Sequence, residues 1–417
     1  MPWPPAVSPS TRTWTPLVCL GVAAAALIAA GSAGRADPPA PVVRAAVTPD
    51  DSAAPVASAA RAVRVDSDAS TWSSCAAPSV LRLHAADDAR DEKALAGCAK
   101  GDPWARVMDR DQALAGRCDQ APPVEPARVL EGALPLDPAT AAHVRAVFRN
   151  GQAFGRRADA FGLVGDSMTI DGNFLRPLRP VYEAAQAGGP AAALLAGPGG
   201  ATGDRTVVIP RELERLLGLG RLAPDAFTAP RAAKIGQHAT WALTQHYVDK
   251  PTPLEEMVAA VSPAYAVVLY GANDALLRTD SVDLLTRDFD AALSNIVDAL
   301  EARGIVPILT TIPKHMRERG WPDCTPSGGN NERFALHATA LSADVADLAC
   351  RRHLPLIDLR WSLEPLAWHG IGPDGVHLSG TRAGAGALDA KGLACGHNAQ
   401  NLVTLRELAR VVDAATW

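Results

Sequence analysis

The chain has 417 residues, 48% of them hydrophobic, and a formal net charge of −5. That is ample material for one large core with appendages. So even a charge balance offers no basic surface for nucleic acid and no acidic tail.

The first 36 residues read as an export signal. "MPWPPAVSPSTRTW" carries Arg12 as its only charge, and "LVCLGVAAAALIAA" (17–30) supplies an apolar stretch. "GSAGRAD" then offers small residues for cleavage after Ala33 or Ala36. Fourteen apolar residues fall short of the ~20 that a membrane span needs, so no span is expected after cleavage. The reading places the mature protein outside the cytoplasm, periplasmic or extracellular. Residues 37–70, rich in Ala, Pro, Ser and Asp without a sustained apolar period, read as a disordered tether. Residues 71–126 hold three cysteines and too little apolar material for a core of their own. They are expected to pack on the main body, 127–417, or to rely on disulfides.

Beyond the signal the cysteines are Cys75, Cys98, Cys118, Cys324, Cys350 and Cys395. An even number in an exported chain suggests disulfides. Three precede residue 120 and three follow 320, so if all six pair, an odd number of bridges joins the two ends of the chain.

From 137 the pattern is regular. Asp137 as N-cap and Pro138 at the first helical position open a helix. Strand "AFGLVG" (160–165) follows. After a long Gly/Pro-rich stretch, "QHATWALTQHYV" (237–248) reads as helix and "AYAVVLYG" (264–271) as a buried strand. An amphipathic helix spans 281–304 and ends at Gly304, "IVPILTTIP" is a strand, and 330–352 is helix with Asn330 and Asn331 as caps. "LPLIDL" is a strand, and "NLVTLRELARVVDAA" closes the chain as helix. Strands alternating with helices imply an α/β fold, a parallel sheet with helices on both faces.

Parallel strands end on one edge, where ligands of open α/β sheets gather. After "AFGLV" comes Gly165-Asp166-Ser167; after "AYAVVLY" comes Gly271-Ala272-Asn273-Asp274; beyond "LPLIDL" lies "GPDGVHLSG" with Asp374 and His377. A hydroxyl, a carboxamide and an Asp/His pair are what acyl transfer needs: nucleophile, oxyanion donor, and a base with its orienting acid. Residues three apart share one face of a helical turn, so Asp374 can hold one imidazole nitrogen while the other faces Ser167. Taken singly, Gly-Asp-Ser can equally turn the chain or cap a helix, and Asp374 can simply cap a turn beside an exposed His377.

Together these residues resemble the GDSL, or SGNH, hydrolase family, over about 140–415. The matching blocks, in order, are Gly165-Asp166-Ser167, Gly236, Gly271-Ala272-Asn273-Asp274 and Asp374-Gly375-Val376-His377. Met168 and Thr169 follow the serine where the family pattern often has a small hydrophobic residue and then Thr, so the departure lies at Met168. Gly197, Gly199, Gly200 and Gly203 compete with Gly236 but lie in what reads as an inserted loop. The resemblance implies a flavodoxin-like three-layer α/β/α fold, with Ser167 as nucleophile, His377 as base and Asp374 as its orienting acid. The amides of Ser167 and Gly236 and the side chain of Asn273 would form the oxyanion hole.

Asp166, Asp274 and His315 are candidates for lining the substrate site; His315, just past a strand, reads equally as a solvated loop residue. His84, His143, His337 and His353 read as structural. No Cys or His spacing suggests zinc and no glycine loop suggests phosphate, so neither metal nor cofactor is expected. The expected activity is cleavage of a small ester or an acylated glycan through an acyl-serine. Acyl transfer to a sugar hydroxyl and a catalytically idle carbohydrate-binding protein are the alternatives.

Overall fold

The computed structural model describes residues 116–186, 221–276, 281–315, 330–380 and 386–416. The signal, the tether, most of the 71–126 segment, and Cys75, Cys98 and Cys324 lie outside the described residues. Helix α1 is Pro126–Leu130, so the boundary drawn at 126/127 falls at a helix start instead of in a linker. The residues before it belong to the main body: Cys118, Ala121 and Val124 are buried, and the Val124 amide donates to Ala390 O at 2.7 Å. Cys118 is disulfide-bonded to Cys395, a bridge between the two ends of the chain. Cys350 is disulfide-bonded as well.

Helix α2, Pro138–Ala153, starts as its sequence requires, with the Asp137 carboxylate accepting from the amides of Ala139 (2.8 Å) and Thr140 (2.9 Å). Strand β1 is Arg157–Gly165. It is followed by the short α3, Ser167–Ile170, and by α4, Arg179–Gln186. Strand β2 is only Ala232–Ala233, which no period in the sequence marks. Helix α5, Pro253–Val261, opens on a capping box between Thr252 and Glu255, and β3 is Pro263–Leu269. There follow α6 (Ala272–Ala275), α7 (Val282–Glu301), β4 (Val306–Thr310), α8 (Asn330–Arg352), β5 (Leu356–Ile357), α9 (Leu359–Leu363) and α10 (Gly396–Thr416).

The five strands form one all-parallel sheet in the order β2-β1-β3-β4-β5. The chain steps one way from β1 to β2 and then the other way through β3, β4 and β5, so strand order reverses beside β1. At such a reversal the connections leave in opposite directions and open a crevice at the carboxyl edge. Both sheet faces are covered. Phe161 and Tyr265, register partners on one face, meet Phe227 edge-on (5.3 Å) and stack on Phe148 of α2 (5.8 Å). A side chain on the next residue of β1, Gly162, would point the other way, into Met257 of α5. Burial on both faces is why the strands are continuous apolar runs and not alternating ones.

Three expected elements differ. The helix expected over 237–248 is a single 3-10 turn, Ala239–Leu243, with Tyr247 and Val248 left 75% and 87% exposed. Leu243 still packs against the core, but nothing covers Tyr247 and Val248 beyond it, and a short helix without a buried face does not persist in water. Helix α8 begins at Asn330, so Asn330 and Asn331 are its first residues instead of its caps. Helix α10 begins five residues before Asn401, because polar side chains there turn inward and satisfy loops: Asn398 takes the Gly386 amide and Asn401 takes the Leu175 amide.

Candidate active site

Gly165 closes β1 where a Cβ would collide with Thr169 and with the carbonyl of Leu269 on β3, so only glycine lets the turn start this close to the sheet. Asp166 then caps α3, accepting from the Met168 amide at 3.1 Å. Gly-Asp-Ser therefore does cap a helix, and in doing so it delivers Ser167 to the carboxyl edge as the first residue of α3. Arg231, which nothing in the sequence singled out, clamps the chain just beyond. Its guanidinium donates to the carbonyls of Thr169, Asp171 (3.1 Å) and Phe174 (2.7 Å). A half-buried arginine satisfying loop carbonyls leaves no spacing signature, only an isolated Arg between apolar residues.

Asp374 and His377 do not share a helical turn. They sit in a tight loop closed by the antiparallel bridge between Ile371 and Leu378 and by the Gly372 amide donating to His377 O at 2.6 Å. Positive φ at Gly375 (76°) makes the reversal. Asp374 Oδ1 accepts from the amides of Val376 (3.1 Å) and His377 (3.0 Å), which turns the chain back so that Oδ2 meets His377 Nδ1 at 2.6 Å. His377 Nε2 lies 3.0 Å from Ser167 Oγ. Residues 210 positions apart thus form one hydrogen-bonded line, Asp374–His377–Ser167.

The charges fit this line. Burial alone would push Asp374 up, but the bonds from the His377 side chain and from the two amides outweigh it and bring the carboxyl to about 2. The bond to Asp374 is the main reason His377 stands above its ordinary value; partial burial works against it, and the charges of Asp374, Asp166 and Asp171 add to it. The pair is therefore an anionic acceptor holding an imidazole whose free nitrogen faces the serine hydroxyl.

The other strand exits supply the rest. At the end of β3, Gly271 has φ of 120°, and a side chain there would strike Ile312 and Phe289. This lets α6 start close to the sheet, with Asn273 in its first turn. Asn273 Nδ2 donates to Asp166 Oδ2 at 3.2 Å. Gly236, three residues past β2, has φ of 73° and open space around its α-carbon.

The expectation that Asp166 and Asp274 line a substrate site is corrected. They are 0% and 4% exposed, and their oxygens are taken by protein donors. Short polar side chains right after buried strands turn inward here because backbone amides beneath them need acceptors. His315, at the exit of β4, is not a solvated loop residue: it is 5% exposed. Neither ring nitrogen has a hydrogen-bond partner among the described residues. Burial holds it neutral, down at about 4, with the Arg360 and His377 charges adding and Asp374 opposing. His143 pairs with Glu301 (2.7 Å), His337 bonds Ala275 O (3.0 Å), and His353 ends α8 in a left-handed conformation. His84 is outside the described residues. Among the described residues no cluster of His, Cys, Asp and Glu could hold a metal ion, and no helix is long and apolar enough to cross a membrane.

Neither a protein-family model nor a curated protein matches this chain.

Proposed function

We propose that this protein is an exported serine hydrolase of the GDSL, or SGNH, type, cleaving carboxylic esters through an acyl-serine intermediate. The observation that carries the reading is the line Asp374–His377–Ser167, at 2.6 Å and 3.0 Å, on the carboxyl edge of a parallel sheet. The strand order is that of a flavodoxin-like sheet, which supports the same reading.

Ser167 Oγ attacks the ester carbonyl as His377 Nε2 takes its proton. Asp374 keeps the other imidazole nitrogen protonated and stabilises the imidazolium. The negative charge gathers on the former carbonyl oxygen. Donors for it are the Ser167 amide, which as the first of α3 has no intrahelical partner, the Gly236 amide, and the second N–H of the Asn273 carboxamide. His377 then protonates the departing alcohol, and the same residues run the steps in reverse with water to free the acid. For an exported enzyme the ester is an acylated glycan or another small ester met outside the cytoplasm. A complete Asp374–His377–Ser167 line supports a working enzyme over an idle carbohydrate-binding protein.

Fluorophosphonate labelling and turnover of p-nitrophenyl acetate test the reading together. Wild type should label at Ser167 and hydrolyse the ester. Ser167→Ala should lose both, with turnover down by roughly six orders of magnitude, while folding normally. A folded wild type that neither labels nor turns over ester, or an active Ser167→Ala, overturns it.

A further inference from the structure

Behind the proposed triad lies a second pair of acids. Asp166 and Asp274 are buried, and neither can meet a substrate. Burial, with the charge of Asp274 adding to it, raises Asp166 to about 7, and burial raises Asp274 as well. Tyr270, buried beside both, is pushed up by burial and by their two charges. Placing two carboxylates this close in a dry site is unfavourable unless their acceptors are needed. Their bonds show the need. Asp166 Oδ1 holds the Met168 amide in α3, the turn of Ser167, at 3.1 Å, and Oδ2 holds Asn273 Nδ2 at 3.2 Å. Asp274, the next residue after Asn273, accepts the Ala239 amide through both oxygens, at 3.2 and 3.3 Å. Ala239 stands three residues past Gly236. The bonds therefore run from the exit of β1 to the exit of β3 and on to the exit of β2.

We propose that Asp166 and Asp274 are positioning residues that brace the oxyanion hole, locking the Asn273 carboxamide and the Gly236 turn to the turn of Ser167. The inference rests on the serine-hydrolase reading above. Once ionised, above its raised value of about 7, the Asp166 carboxylate only accepts and so holds the NH₂ end of Asn273 toward it. One N–H is then bonded and the other is aimed away from the brace, for the oxyanion. An amide at position 166 has a single oxygen for two donors and can itself donate, so the Asn273 carboxamide is free to flip.

The test uses the full chain and p-nitrophenyl acetate. Asp166→Asn should lower kcat by up to roughly a hundredfold with KM nearly unchanged, since misplaced donors act on the transition state. In an Asn273→Ala background the same substitution should do little more, because both changes remove one donor. His377 faces the charges of Asp374, Asp166 and Asp171, with His315 and His397 nearby. Asp166 itself faces Asp274 and His377, and Asp274 faces His238. Neutralising Asp166 should therefore shift the acid limb of kcat/KM to lower pH, which a merely structural residue would not do. A buried acid raised to about 7 makes wild-type stability fall as pH rises from ~4 to ~7, and Asp166→Asn should flatten that slope. Should Asp166→Asn fail to fold, Asp274→Asn tests the other arm: by loosening the Ala239 amide and with it the Gly236 turn, it should lower kcat with KM nearly unchanged, and do so in the Asn273→Ala background too. An unchanged kcat in either variant, or equal losses from Asp166→Asn with and without Asn273, overturns the brace while an active wild type keeps the hydrolase reading intact. An inactive wild type overturns both.

Discussion

The two halves of the candidate site stand on different supports. Ser167 and Asn273 are held where the buried central strands β1 and β3 end, and their turns are tied together beneath the surface through Asp166. Asp374 and His377 sit in a surface loop, their side chains 52% and 46% exposed, and take their mutual geometry from hydrogen bonds within eight residues. A rigid scaffold can thus place the proposed nucleophile while a self-contained loop presents the proposed base. The loop still needs an anchor. Ser379, two residues beyond His377, accepts the amides of Gly396 at its hydroxyl (2.9 Å) and His397 at its carbonyl (3.1 Å), directly after the disulfide residue Cys395.

The comparison breaks first at Asp374. Asp374→Asn should cut kcat by roughly four orders of magnitude, because the imidazole loses both its tautomer and its counter-charge. The main cause of the raised His377 pKa also disappears, so the acid limb of kcat/KM should move to lower pH. Wild type itself should lose activity on acidification with a midpoint above ~6.5, the ordinary histidine value, since His377 must be neutral to act as base. A pH–rate profile that is flat across this range would remove His377 from the role of base.

Asn273→Ala, on the rigid half, should cost less: roughly two to three orders of magnitude in kcat with KM little changed and the acid limb nearly in place. A rise in KM with kcat intact would make Asn273 a substrate-binding or loop residue. The disulfide gives the smallest effect. Replacing Cys118 and Cys395 together by Ser should lower unfolding free energy by about 2–4 kcal/mol, measured in denaturant. Activity in the folded variant should fall modestly and through the loop half. A stability loss with wild-type kcat and pH profile would confine the bridge to holding the fold.

Much of this was legible because it depends on neighbours in sequence. Continuous apolar runs and amphipathic segments announce β1, β3, β4 and the helices α2, α7 and α8, and Asp137-Pro138 marks a helix start to the residue. The order of Gly-Asp-Ser, Asn-Asp and Asp-x-x-His along the chain, with each block just past a strand, was enough to nominate Ser167, Asn273, Asp374 and His377. Periodicity misled over 237–248, where apolar residues continue to Tyr247 and Val248 but the partner surface stops at Leu243, and it passed over β2, where two alanines carry no pattern.

By itself, then, the sequence determined that the chain builds a parallel α/β sheet and which polar residues end its strands, since both follow from local period, burial and turn chemistry. Only the tertiary structure decided which of those polar groups face outward. Ser167 meets His377 across 210 residues, Asp166 and Asp274 turn inward to buried donors, and Arg231 closes carbonyls far away in sequence. The side chains of Asp166 and Asp374 are chemically the same, yet one is fully buried and raised to about 7 and the other is half exposed and held near 2. The cause is physical: a carboxylate's role is set by the water it has lost and by the donors that replace it, and those come from whatever the fold packs around it.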